Sequence, residues 1–172
     1  MLLDEFICKL VQEGSDNVKR SPRGLNWWQP WSNLQYTNAA TLIATMYSKY
    51  LATAKASIDC YGVNIKPEDL VAFAKSQVDY ILGSNPKSMS YMVGYGTNYP
   101  KQIHHRGASI VSIKKDPAHV SCKGADPNVL EGAVVGGPYD TDEYTDARSN
   151  YQQSEPTLTN NAPLVGVLAK LV

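Results

Sequence analysis

The sequence predicts an all-α chain on three observations. Apolar residues recur at helical spacing in four separate segments, those segments begin or end on capping and breaking residues, and strand-like runs are few and short. In the first segment Leu2, Leu3, Phe6, Ile7 and Leu10 share a stripe that stops at Gly14. The second is expected from Asn38 to Ala56, with Asn38 as N-cap, an alanine-rich body and a stripe of Ala39, Ile43, Met46, Tyr47 and Tyr50. The third runs from Pro67 to Leu82. Pro67 suits the first helical position, Glu68 and Asp69 complement the positive end of the dipole, and Gly83 follows as a stop. Its stripe is Leu70, Phe73, Ala74, Val78 and Ile81. The last helix is expected to begin near Pro163 and carries Leu164, Val167, Leu168 and Leu171.

Between Gly83 and Ala162 the pattern changes. Gly83-Ser84-Asn85-Pro86, Gly94-Tyr95-Gly96, Asp126-Pro127-Asn128 and Gly136-Gly137-Pro138 punctuate it, leaving room for short strands only at Ser109–Ile113 and Glu131–Val135. Long irregular connections inside a domain tend to carry function. All three histidines (His104, His105 and His119) fall here, so chemistry is expected in this segment.

Composition narrows the class. The chain has 172 residues, 43% of them hydrophobic, enough for one domain that buries roughly 70% of its unfolded surface. Sixteen basic residues balance sixteen acidic ones, which argues against a nucleic-acid binder. No apolar run approaches the about 20 residues of a membrane span. Met1-Leu2-Leu3 is followed at once by Asp4 and Glu5, so no signal peptide is expected in this chain. Eleven Tyr and three Trp against two Phe favour flat rings with polar handles, a composition suited to polar ligands such as sugars.

Several constellations carry chemistry. Ile103-His104-His105-Arg106 sets two imidazoles beside a guanidinium, a group able to grip hydroxyls or orient a carboxylate; taken alone it is more simply an exposed polar turn. A zinc site from His119, Cys122 and His104 or His105 lacks a second Cys/His pair at familiar spacing, and no cofactor or metal is expected. Asp140, Asp142, Glu143 and Asp146 alternate as calcium ligands can, but Thr145 and Tyr151 occupy the positions where a calcium hand needs Gly and an acid. Glu155 stands among uncharged neighbours in Gln152-Gln153-Ser154-Glu155-Pro156-Thr157 ahead of an apolar helix. It is either a partly desolvated general acid or a carboxylate facing that helix's positive end. No dinucleotide fingerprint and no G-x-S-x-G elbow is present.

Two long stretches are more specific. Ser90-Tyr91-Met92-Val93-Gly94-Tyr95-Gly96-Thr97-Asn98, continuing to His104-His105-Arg106-Gly107, resembles the histidine signature of glycoside hydrolase family 9, the endoglucanases, in its plant form. Tyr144-Thr145-Asp146-Ala147-Arg148-Ser149-Asn150-Tyr151 through Glu155-Pro156-Thr157 to Asn161-Ala162-Pro163 resembles the family's Asp/Glu signature. Asp79 to Pro86 and Glu131 to Pro138 match the intervening family text, and the similarity covers essentially residues 1–172.

The resemblance implies the C-terminal portion of an (α/α)6 barrel, secreted to the cell wall, that cleaves β-1,4-glucan with inversion. Glu155 would be the general acid and Asp146 a second acid shaping its surroundings. His104, with Arg106, His105 and Tyr151, would hold sugar hydroxyls. An inverting enzyme also needs a carboxylate base about 6.5–9.5 Å from the acid. The family's base lies in an N-terminal Asp-Ala-Gly-Asp motif that this chain lacks, and its catalytic domain is more than twice as long. The expectation is therefore a fragment, and a degenerate glucan-binding piece without hydrolysis is the competing one. The stretch from Cys122 to Asn128 is also shorter than the family loop there. In an oxidising compartment Cys8 and Cys60, which flank the first two helices, are the expected disulfide, with Cys122 free.

Overall fold

The computed structural model describes residues 2–118 and 126–172. Helix α1 (Leu2–Val11) buries Ile7, Cys8 and Leu10, carries acids in its first turn and Lys9 in its last, and ends at Gln12 in the left-handed region. Helix α3 (Pro67–Ile81) follows its predicted bounds to within a residue. Every member of its predicted stripe is buried, and the Asp69 carboxylate accepts the Lys66 N–H at 2.8 Å.

Helix α2 (Asn33–Ala54) departs from the expectation in start and in face. It begins five residues earlier, after Ser32 in the left-handed region, where Asn33 Oδ1 accepts the Trp28 N–H at 2.8 Å. Asn38 is no N-cap: it is buried in the helix, donating to the Asn160 carbonyl at 2.7 Å. Of the predicted stripe only Tyr47 is buried. Ile43, Met46 and Tyr50 are 40%, 65% and 61% exposed, and Ala39 is exposed as well. The buried face is instead small and polar, with Thr37, Ala40, Thr41, Ala44, Thr45 and Ser48. Thr41 and Thr45 each donate to the carbonyl four residues back, at 2.6 and 2.7 Å, and Ser48 to that three back, at 2.7 Å. With their hydroxyls satisfied inside the helix, these side chains bury cheaply and admit close packing by α3 and by α6 (Leu158–Leu171).

Helix α6 also starts five residues before the expected point. Thr157 Oγ1 accepts the Asn160 N–H at 3.2 Å and sets the start, which leaves Pro163 inside the helix. Its Leu164 and Val167 are buried, and Gly166 lets it approach Leu42 of α2.

The chain is helix-rich rather than all-α. Strands β1 (Ile58–Cys60) and β2 (Val63–Ile65) form an antiparallel hairpin, closed by Tyr61 and Gly62 with φ of 52° and 94°. Positive φ at both central residues is the requirement of a two-residue hairpin turn. The expected strands do not form. Of Ser109–Ile113, Ser109 closes a one-turn helix, α4 (Arg106–Ser109), and residues 110–113 are irregular, while within Glu131–Val135 only Val134 makes a bridge, to Met92.

Two apolar clusters organise these parts. One joins α1, the hairpin, Leu70 and Phe73 of α3 and Ala40, Ala44 and Leu51 of α2, and it encloses the disulfide Cys8–Cys60. Cys122, the expected free thiol, lies outside the described residues. The other joins Val78 and Ile81 of α3 and Leu164 and Val167 of α6 to Tyr91, Val93, Val134 and Tyr144 from the irregular segment. Side-chain amides hold that segment in place. Asn160 Nδ2 donates to the Val134 carbonyl at 3.0 Å, while Asn161 accepts the Val134 N–H and donates to the Gly132 carbonyl. Gly136 lies so close to a one-turn helix, α5 (Tyr151–Ser154), that a Cβ there would sit 2.4 Å from the Gln152 carbonyl oxygen.

Candidate active site

Glu155 leaves α5 partly buried, and its Oε2 accepts a hydrogen bond from Trp31 Nε1–H at 3.1 Å. Trp31 meets the ring of Tyr151 edge-on at 5.4 Å, and Tyr151 lies 5.9 Å from the ring of His104. The His104 N–H donates to the Ser154 carbonyl at 3.1 Å, which ties the histidine turn to the residue preceding Glu155. Four side chains from three separate stretches therefore meet: Trp31 ahead of α2, His104 ahead of α4, and Tyr151 and Glu155 of the α5 turn. All but Glu155 are well exposed. Trp31 is the member the sequence reading did not single out. Its signal is the run Trp27-Trp28-Gln29-Pro30-Trp31 just before a helix start.

The backbone explains the placement. Ser32 holds φ 53°, its N–H bound to the Gln152 carbonyl at 2.9 Å and its hydroxyl to Asn160 at 3.1 Å, and this turns Trp31 outward over α5. Gln153 is fully buried beneath the site, donating to the Glu143 carbonyl and accepting the Thr145 N–H.

The His104 Nδ1 lies 2.7 Å from the Arg148 carbonyl oxygen, which can only accept, so Nδ1 carries the proton and Nε2 of the neutral ring is left as an acceptor. His105 caps α4, its Nδ1 accepting the Gly107 N–H at 3.0 Å, and it lines a hollow of about 460 Å³ with Glu131, Pro156 and Asn161. Arg106 opens α4 with its side chain exposed. Asp146, from the stretch ahead of α5, clamps the histidine turn, its two oxygens accepting the N–H groups of Lys101 and Gln102 at 2.8 and 3.0 Å.

The other acids are engaged. Asp140 pairs with Lys19 and Glu143 with Lys87. Buried Asp142 accepts from the Tyr80 hydroxyl at 2.6 Å and the Arg23 N–H at 3.0 Å. Burial, and for Tyr80 the Asp142 bond as well, pushes the phenols of Tyr80, Tyr91 and Tyr144 far above their usual range. Among the described residues no three His, Cys, Asp or Glu side chains converge as metal ligands. The considered zinc partners His119 and Cys122 lie outside those residues.

Residues 2–168 match the profile of glycosyl hydrolase family 9. Endoglucanase 13 of Arabidopsis thaliana is 57% identical over 98% of this chain, which spans 36% of that protein's length. Cellulase Cel9M of C. cellulolyticum superposes over 96% of this chain and 33% of its own, with 34% identity and a TM-score of 0.74. Endoglucanase CelQ of Clostridium thermocellum, solved with cellobiose and cellotriose, superposes over 90% of this chain and 24% of its own, with 34% identity and a TM-score of 0.70.

Proposed function

This chain belongs to glycosyl hydrolase family 9, and from that premise we propose that it is the C-terminal portion of an endoglucanase acting on internal β-1,4 bonds of cellulose with inversion. The observation that carries the reading is the convergence of Trp31, His104 and Tyr151 around Glu155. Glu155 protonates the leaving glycosidic oxygen. The Trp31 N–H engages one of its oxygens and leaves the other to present the proton. His104 Nε2 accepts from a sugar hydroxyl, and Arg106 and His105 supply further polar contacts at the same turn. The exposed rings of Trp31 and Tyr151 face the glucan. Asp146 acts through the turn it anchors.

The activating base comes from the part of a family 9 domain not contained in these 172 residues. Helices α2, α3 and α6 form part of an (α/α)6 barrel, and the exposed Ile43, Met46 and Tyr50 face the remainder. The cell-wall destination of the whole enzyme accords with a buried disulfide.

The chain by itself binds glucan without cutting it, a second reading favoured by the engagement of Asp140, Asp142 and Glu143 with other side chains. The test joins this chain to the upstream portion of a plant relative and measures reducing ends released from carboxymethyl cellulose. The joined protein is expected to be active, and Glu155→Gln to lower its turnover by about 10²–10⁴ with little change in affinity. Near-normal turnover of the Gln variant overturns the role of Glu155.

A further inference from the structure

We propose that Asp126 and Arg148 are a positioning pair that holds the His104 ring in a single tautomer with Nε2 turned to the sugar; the proposal rests on the reading of His104 as a hydroxyl-binding residue. Four consecutive backbone N–H groups lead up to that ring, and each has a fixed acceptor. Lys101 and Gln102 donate to Asp146, Ile103 to Asp126 Oδ2 at 2.5 Å, and His104 to the Ser154 carbonyl. The Asp126 side chain is only 4% exposed, and its other oxygen, Oδ1, pairs with Nη2 of Arg148.

One carboxylate thus grips both segments that enclose His104. It holds the backbone of the residue before it, and it holds the guanidinium of the residue whose carbonyl takes the His104 Nδ1 proton. A carbonyl oxygen has no proton to give. Holding it against Nδ1 therefore places the imidazole proton there and leaves the lone pair on Nε2. Removing the Asp126 charge leaves Arg148 largely desolvated beside a weaker acceptor, so its backbone is expected to shift and release the ring. The link from the pair to the reaction that the structure describes runs through His104, by the Ile103 N–H on Asp126 and the Arg148 carbonyl on the His104 ring.

The experiment uses the full 172-residue chain with ¹⁵N-labelled histidine and long-range proton–nitrogen correlation above the imidazole titration range. In the wild type the Nδ1–H form of His104 is expected to exceed the Nε2–H form by about tenfold. In Asp126→Asn that ratio is expected to fall at least about threefold. Arg148→Lys, which keeps the charge and the carbonyl but loses the planar fork, should do the same. Cellotetraose added to the wild type should move the His104 Nε2 resonance, and move it less in either variant. A predominant Nε2–H form in the wild type overturns the proposal whether or not the variants fold, and so does an unchanged ratio in folded Asp126→Asn. The expected ratios together with a wild-type Nε2 resonance indifferent to cellotetraose would uphold the pair's hold on the ring and overturn the sugar reading of His104.

Discussion

Reducing the Cys8–Cys60 bond should cost this chain a large share of its stability, and the structure sets the size. The bond closes a loop of 52 residues that contains all of α2. The chain-entropy relation for such a loop gives about 4 kcal/mol at 25 °C, with about 2–4 kcal/mol expected in measurement. The location adds to the effect. Helix α1 has ten residues, too few to persist alone, and it is fastened through Ile7, Cys8 and Leu10 to a cluster built from α2, α3 and the hairpin. Losing the cross-link lets that helix detach. The assay is urea unfolding of the wild type and of a Cys8→Ser/Cys60→Ser variant, followed by far-ultraviolet circular dichroism. With a slope of about 2 kcal/mol/M, the midpoint should fall by about 1–2 M. Thiol titration of denatured, unreduced wild type should find one free group, that of Cys122. A midpoint shift below about 0.3 M, or three free thiols in the untreated protein, would refute the argument.

Other outcomes follow from single contacts. Gly136→Ala drives a Cβ against the Gln152 carbonyl oxygen and should destabilise by at least about 1–3 kcal/mol in the same urea assay. Tyr47 is raised to about 12 by its bond to Asp4, and Tyr80, Tyr91 and Tyr144 are raised further, chiefly by burial. Since the unfolded phenols ionise near pH 10, the contribution of these residues to stability is complete below about pH 10 and lost as pH rises toward 12 and beyond. Absorbance at 295 nm should show them ionising together with the loss of structure; ionisation in the still-folded protein would contradict this. The Ile43, Met46 and Tyr50 face should bind a hydrophobic dye, and Met46→Glu should reduce that signal and raise solubility without lowering the unfolding midpoint.

Local patterns in the sequence determined α1 and α3 because each is a short-range amphipathic helix with its own stop or start signals; Pro67 and the Leu70-to-Ile81 stripe needed nothing from elsewhere. The two signature stretches put Glu155, Asp146 and His104 forward as site residues, and the expected Cys8–Cys60 disulfide is the one that forms. The hairpin has a local signal too, in Ile58, Cys60, Val63 and Ile65 placed about Tyr61-Gly62, although the four-helix reading of the sequence does not include it. The face of α2 was not legible. Periodicity ranks residues by polarity, and here the threonines and serine turn inward because intrahelical bonds satisfy their hydroxyls, leaving Ile43 and Met46 outside. Nor was Trp31, which lies 124 residues from the carboxylate it bonds and is brought there by the strained turn at Ser32. The split has one physical reason. Helix propensity, capping and tight turns act over a few neighbouring residues, and a single chain displays them. The inward face of a helix and the company of a carboxylate depend on which distant segments pack against it, and only the tertiary structure decides that.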